Sequence, residues 1–190
     1  MAKLIARAAL PVARALEQAP KRNGFVIREL ALLTMIRVQV TGNNSEVATQ
    51  LKSIAGKDLP ECGYYQAAED MRLHWLTPKE WLIVAEPNQE SRLMGLLESV
   101  VAADISHATV ISDARMTLEI TGSRVVELLS QACSLDLHSA HFCVGRSTVT
   151  RFAQLPALLS KTGQETFELT VDRAYARYTH DWMYDAIAGV

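Results

Sequence analysis

Met116, Leu118 and Ile120 alternate with Thr117, Glu119 and Thr121, the period of two that marks a half-buried strand. Thr121-Gly122-Ser123 breaks the alternation, and Val125, Val126, Leu128, Leu129 and Ala132 continue at helical spacing. The stretch predicts a strand that turns through glycine into an amphipathic helix, with the Ser123 hydroxyl placed to cap it. The same order occurs earlier. Val38 and Val40 alternate with Arg37 and Gln39, Thr41-Gly42 makes the turn, and Val47, Ala48, Leu51 and Ile54 carry the helix. Two copies of one pattern point to internal duplication, with the two Thr-Gly turns expected to superpose.

The remaining periodicities fill in both halves. The first half predicts strands over 25–30 and 34–41, a helix over 45–55, strands over 64–67, 71–76 and 80–86, and a helix over 88–101. That last helix has Asn88 as cap and Leu93, Leu96, Leu97 and Val100 as its apolar face. The second half predicts strands over 104–112 and 114–121, a helix over 123–132, strands over 147–153, 156–161 and 164–171, and a helix over 172–187. Each half is therefore two strands, helix, three strands, helix. This is an α+β fold with mainly antiparallel sheets, the helices covering one face of each sheet. The first two strands of each half read as a hairpin, which either pairs within its own half or exchanges with the other. The domain reading is an arm over residues 1–22 and a single duplicated domain over 23–190, with pseudo-repeats 23–102 and 103–190. No linker rich in Pro, Gly or Ser separates the halves.

Charge changes the picture at one end. Residues 1–28 hold six basic groups against Glu17, a net +5, which leaves −7 on the rest of a chain whose total is −2. The apolar run from Leu4 to Leu16 is interrupted by Arg7 and Arg14, too short and too charged for a secretory leader or a membrane span. A mitochondrial transit sequence, a solvated N-terminus and a partner-docking arm all fit the composition. Pro11 limits any helix there, and Leu4, Ile5, Leu10, Val12 and Leu16 supply apolar area for a partner to cover. The expectation is weak contacts before Arg22 in the isolated chain and ordering by a partner. The acidic body carries no Lys/Arg stripe interleaved with aromatics, which argues against nucleic acid. Cys62, Cys133 and Cys143 lack CxxC spacing, so they indicate a reducing compartment rather than a disulfide framework.

Candidate chemistry is sparse. Cys133, His138, His141 and Cys143 are zinc-ligand types, but C-x4-H-x2-H-x-C matches no closed structural site, and a loop-anchoring role fits better. Asp104, Ser106, His107 and Asp113 hold the residue types of a hydrolytic triad. Ser106 and His107 are neighbours on a strand, however, so their side chains point to opposite faces. No nucleotide-binding glycine loop, G-x-S-x-G or HExxH occurs. Gly42 and Gly122 at strand-to-helix turns read as permissive turn residues rather than anion sites. Glu69/Asp70 and Asp181/Asp185 read as solvated charge. Trp75 and Trp81 flank a turn around Pro78 and should face each other across a hairpin. Trp182 lies with Tyr175, Tyr178 and Met183 in the closing helix, where core packing competes with an interface role. No catalytic, cofactor-binding or metal residue is assigned.

The chain resembles the gamma subunit family of heterotetrameric sarcosine oxidase. The resemblance rests on Leu76-Thr77-Pro78-Lys79-Glu80-Trp81-Leu82, Asp104-Ile105-Ser106-His107-Ala108, Leu118-Glu119-Ile120-Thr121-Gly122 and Cys133-Ser134-Leu135-Asp136-Leu137-His138. It also rests on Gly145-Arg146-Ser147 with Thr150-Arg151, and on Asp181-Trp182-Met183-Tyr184-Asp185-Ala186. Thr77 stands where that family commonly has Gly, and Ser134 where it commonly has Pro. The resemblance implies a fold like the folate-binding domain of the glycine-cleavage aminomethyltransferase, itself a duplicated β2-α-β3-α unit. It implies a non-catalytic structural role in a cytoplasmic complex that oxidatively demethylates sarcosine to glycine and passes the one-carbon unit to tetrahydrofolate. It further implies alpha (large), beta and delta subunits as partners, with FAD, FMN, NAD, zinc and tetrahydrofolate held by those subunits, so that the isolated chain should bind neither flavin nor zinc stoichiometrically. The competing reading is a free-standing folate-binding or aminomethyltransferase-like protein. That reading would need a buried acid facing the folate amines, with Asp104 and Asp113 the only acids in a comparable hairpin.

Overall fold

The computed structural model describes Ala9 and residues 24–30, 32–42, 45–102 and 106–189. In chain order these form β1 (Val26–Glu29), β2 (Thr34–Val40), α1 (Ser45–Ala55), β3 (Tyr65–Ala67), β4 (Met71–Thr77), β5 (Glu80–Ala85) and α2 (Glu90–Ala102). Then come β6 (Ser106–Val110), β7 (Arg115–Thr121), α3 (Val125–Ser130), β8 (Ser147–Phe152), β9 (Leu155–Gly163), β10 (Thr166–Asp172) and α4 (Ala176–Ala188). The fold is α+β, and every strand pair is antiparallel. Two compact units result: a continuous unit, Leu32–Ser112, and a split unit made of Met1–Ala31 with Asp113–Val190.

Of the two pairings open to the opening strands, the exchange is the one that forms. β1 pairs with β7, Val26 opposite Thr121 and Glu29 opposite Leu118. β6 pairs with β2, Val110 opposite Ile36 and Ser106 opposite Val40. The opening strand of each half has thus joined the other half's sheet. The alternating pattern specifies a strand and its buried face, but it does not say which neighbour supplies the hydrogen bonds. Read from the exchanged strand, the two sheets run β6-β2-β5-β4-β3 and β1-β7-β10-β9-β8. Position for position these are the same order, with α1 and α3, and α2 and α4, following equivalent strands.

Each unit has its own core. In the continuous unit Ile36, Val38, Leu73 and Ile83 from the sheet meet Val47 and Leu51 of α1 and Leu93 and Leu97 of α2. In the split unit Leu118, Ile120, Leu159, Phe167 and Leu169 meet Val125, Leu128 and Leu129 of α3 and Met183 of α4. Fully burying one such side chain contributes roughly 1.5–3 kcal/mol. Three local expectations are corrected. Leu96 is exposed, because it lies at the edge of the arc centred on Leu93 and Leu97. Asn88 does not cap α2: it adopts φ 66°, and the helix begins two residues later. Ser123 does not cap α3, whose N-cap is Arg124 with no side-chain hydrogen bond.

Gly122 has a reason beyond the turn. A Cβ there would sit 2.7 Å from the Gly24 carbonyl oxygen and 3.0 Å from the Phe25 ring. The exchanged strand β1 starts against this point, and no larger residue fits.

Candidate functional site

The Cys/His stretch folds as a loop closed on itself. The His138 amide donates to Asp136 Oδ1 at 3.0 Å, and the Ala140 amide donates to His138 Nδ1 at 3.2 Å. The amides of His141 and Phe142 both donate to the His138 carbonyl, and Phe142 stacks on Phe167 with centroids 6.0 Å apart. Cys133 is buried, its sulfur 3.6 Å from the Thr150 hydroxyl, while Cys143 is exposed. His141 Nε2 stands 3.8 Å from Asp136 Oδ2. Among the described residues no group of three or more His, Cys, Asp or Glu could hold a metal ion.

The triad types are also dispersed. On β6 Ser106 is buried and His107 exposed, on opposite faces as alternation requires. Asp113 lies exposed in a single 3-10 turn, Ser112–Ala114; Asp104 lies outside the described residues. Ser112, which the sequence did not single out, accepts from the Met35 amide at 3.0 Å and donates to Glu90 Oε1 at 2.8 Å. Asp70 accepts from Arg92 Nη2 at 2.5 Å. With Glu69, Glu86 and Arg72 it lines a cleft of about 190 Å³ over Met71 and Val84. Asp181 sits 3.0 Å from His180 Nδ1 and 3.6 Å from Arg177 Nε. The hydrogen bond from His180 holds the Asp181 carboxyl below its usual range, with Arg177 adding to it.

The tryptophans divide. Trp75 and Trp81 are cross-strand partners beside a bulge, and Trp81 belongs to the core of the continuous unit. Trp182 packs edge-on against Phe152 at 4.9 Å. Tyr178 is half exposed and donates its hydroxyl to the Ala153 carbonyl at 2.9 Å. Of the basic arm, only Ala9 is among the described residues. It packs against the split unit's core, and its amide donates to Glu29 Oε1 at 2.7 Å. The rest of the arm, on which the expectation of weak contacts and ordering by a partner falls, lies outside the described residues.

Sequence reasoning missed three buried polar side chains. Lys161 on β9 is 2 % exposed, its ammonium 5.3 Å from the Phe167 ring. Parity gave the signal, since Ala157, Leu159 and Lys161 share one face. His74 on β4 is fully buried against Tyr65, ring centroids 5.2 Å apart. Burial pushes its pKa down to about 3, with the Arg72 charge adding to the effect. Glu168 stands in a row across all five strands of the split unit's sheet. Register places Ser147 beside Ser160, Ser160 beside Glu168, Glu168 beside Glu119, and Glu119 beside Arg28. The two serine hydroxyls are 2.9 Å apart, and Arg28 Nε donates to Glu119 at 2.6 Å. Such a row ties the five strands together through their side chains.

A family-wide profile described as "Sarcosine oxidase, gamma subunit family" matches residues 41–189. The chain belongs to that family. Within it, the chain is 29% identical to sarcosine oxidase subunit gamma of Arthrobacter sp over 178 residues, 93% of this chain and 86% of that protein. It is 28% identical to the namesake from Corynebacterium sp. (strain U-96) over 166 residues, 85% of this chain and 78% of that one. A chain of the heterotetrameric sarcosine oxidase from Corynebacterium sp. U-96, solved in complex with pyrrole 2-carboxylate, superposes with a TM-score of 0.87 at 26% identity. That match covers 98% of this chain and 96% of the other. The glycine cleavage system aminomethyltransferase T from Bartonella henselae shares the fold, with a TM-score of 0.63 at 14% identity over 93% of this chain and half of that one. Among the described residues no helix is long and apolar enough to cross a membrane.

Proposed function

We propose that this chain is the gamma subunit of a cytoplasmic heterotetrameric sarcosine oxidase, a structural subunit that takes no part in bond making. The observation that carries the reading is the superposition, over nearly the full length of both chains, on a chain of the Corynebacterium enzyme. The partners on this reading are the alpha, beta and delta subunits. Those subunits carry FAD, FMN, NAD, zinc and tetrahydrofolate, and together they oxidise sarcosine to glycine. The separation of Ser106 from His107, and the closure of the Cys133–Cys143 loop on its own backbone, support a structural role. We also read the chain as an arm over 1–22 followed by repeats 23–102 and 103–190, which the matching strand orders support. The likeness to aminomethyltransferase T supports a shared fold and leaves a free-standing folate protein as the reading to exclude. The test is co-purification from the native source. A flavin-coloured assembly with three companions is the expected result. A chain that elutes alone and binds tetrahydrofolate would overturn the proposal.

A further inference from the structure

A sheet edge left bare is a template for another strand, and proteins blunt their edges by shortness, charge, proline, bulges or cover. The edges here differ in these devices. β3 has three residues. β1 has four, two of them charged, and its Glu29 holds the Ala9 amide. β6 is flanked by Asp104 and Asp113 and packs against α2. β8 is longer and lacks proline, bulge and, among the described residues, a covering strand; its one charged residue is Arg151. It is six residues long, Ser-Thr-Val-Thr-Arg-Phe, and pairs with β9 without a register shift. Its Val149 is 55% exposed, the most of any large apolar side chain among the described residues. At the turn the Ala153 amide is already taken by the Ala132 carbonyl, but among the described residues the sheet has no further strand beyond β8.

The sequence stretch that contains this edge carries charge of one sign, although Glu168 lies two strands in. Between Asp136 and Glu165 there is no acidic residue, while Arg146, Arg151 and Lys161 contribute three positive charges. The exposed Arg151, with Arg146 flanking the strand, therefore gives this stretch a positive charge in a chain whose net charge is −2.

We propose that β8 is the docking edge of this subunit, and that a partner subunit adds to it, as a sixth strand, an extended segment carrying acidic side chains. Main-chain hydrogen bonds supply the attachment, Val149 gives the apolar contact, and Arg151 with Arg146 selects the acidic sequence. This rests on the reading of the chain as a subunit of a multi-subunit enzyme.

The experiment compares amide hydrogen exchange in the isolated chain and in the co-expressed complex. The amides of residues 148–151 should exchange at least about tenfold more slowly in the complex. Arg151→Glu and Val149→Lys should each weaken assembly by about tenfold or more, with the melting temperature of the isolated chain unchanged. The same reversal at exposed Lys52, in the continuous unit, should leave assembly intact. Equal exchange at β8 in an assembled complex overturns the docking edge while leaving the subunit reading standing. Protection that grows with concentration in the isolated chain assigns the edge to a second copy and also overturns it. A chain that joins no complex removes both readings.

Discussion

In the continuous unit the strand farthest from the exchanged one is β3, three residues long; in the split unit its counterpart β8 has six and an exposed valine. The middle strands differ as well. β4 buries a histidine that stays neutral, while its counterpart β9 buries a lysine against a phenylalanine ring. The strand order is common to both units, yet the edge and the buried polar groups are not. Pairing order is a property of the whole sheet, which one substitution does not alter, whereas edges and buried polar positions each change with a few residues. The split unit has the surface suited to assembly, and the continuous unit the group that responds to acid.

Core truncation should show the largest effect. Phe167→Ala removes a fully buried ring from the split unit and should cost about 3–5 kcal/mol. Chemical denaturation followed by tryptophan fluorescence in a chain that keeps Trp182 and has Trp75 and Trp81 replaced by Phe measures it. A cost below ~1 kcal/mol would mean that the core assigned to this unit is wrong.

Acid separates the units next. His74 folds with a pKa near 3, below the 6.5 of the unfolded chain. Its unfolded form therefore binds the extra proton, and its share of stability is fully present above pH 6.5 and lost as pH falls toward 3. Each unit of such depression is worth about 1.36 kcal/mol. His74→Phe should flatten the slope of stability against pH between 3 and 6.5. An unchanged slope would show that His74 is not the group responsible.

A pair of alanine substitutions sharpens the contrast between an approached glycine and a free one. Gly122→Ala forces β1 away from the turn and should destabilise by roughly 1–3 kcal/mol. Gly95→Ala, in α2 of the continuous unit with open space around it, should stabilise by up to about 1 kcal/mol. Opposite signs in thermal melts are the expected outcome, and equal signs would sink the account of Gly122.

The smallest effect is expected at Arg124→Ala. Its pair with Glu127 is solvent-exposed at three-residue spacing, and water and salt screen such pairs so far that they contribute little to stability. A melting curve that shifts substantially would point to a contact the geometry does not contain.

Local patterns were legible because they depend on neighbours in sequence. The strand from Met71, the helix Ser45–Ala55 and the Trp75–Trp81 pairing all follow from alternation, helical spacing and one proline turn. Strand exchange was not legible, because Ile27 reads the same whether it lies beside β2 or β7. Buried Lys161 was hidden by its type, since composition assigns lysine to the surface and only parity with Leu159 places it inside. The candidate site was legible mainly as dispersed chemistry. Alternation separated Ser106 from His107, whereas the edge at β8 became visible only once the sheet order was known.

The exchange also sets a timetable at the ribosome. Val26 meets Thr121, 95 positions further on. At about 5–20 residues per second, β1 waits roughly 5–20 s after emerging before its partner strand exists. Through that interval the nascent chain carries an orphan strand with Phe25 and Ile27 uncovered, while the continuous unit lacks β6 until residue 110 is made. A chain cut after the first repeat would keep the strand it cannot use and lack the one it needs. Production of this protein should therefore depend on chaperone supply more steeply than its size suggests.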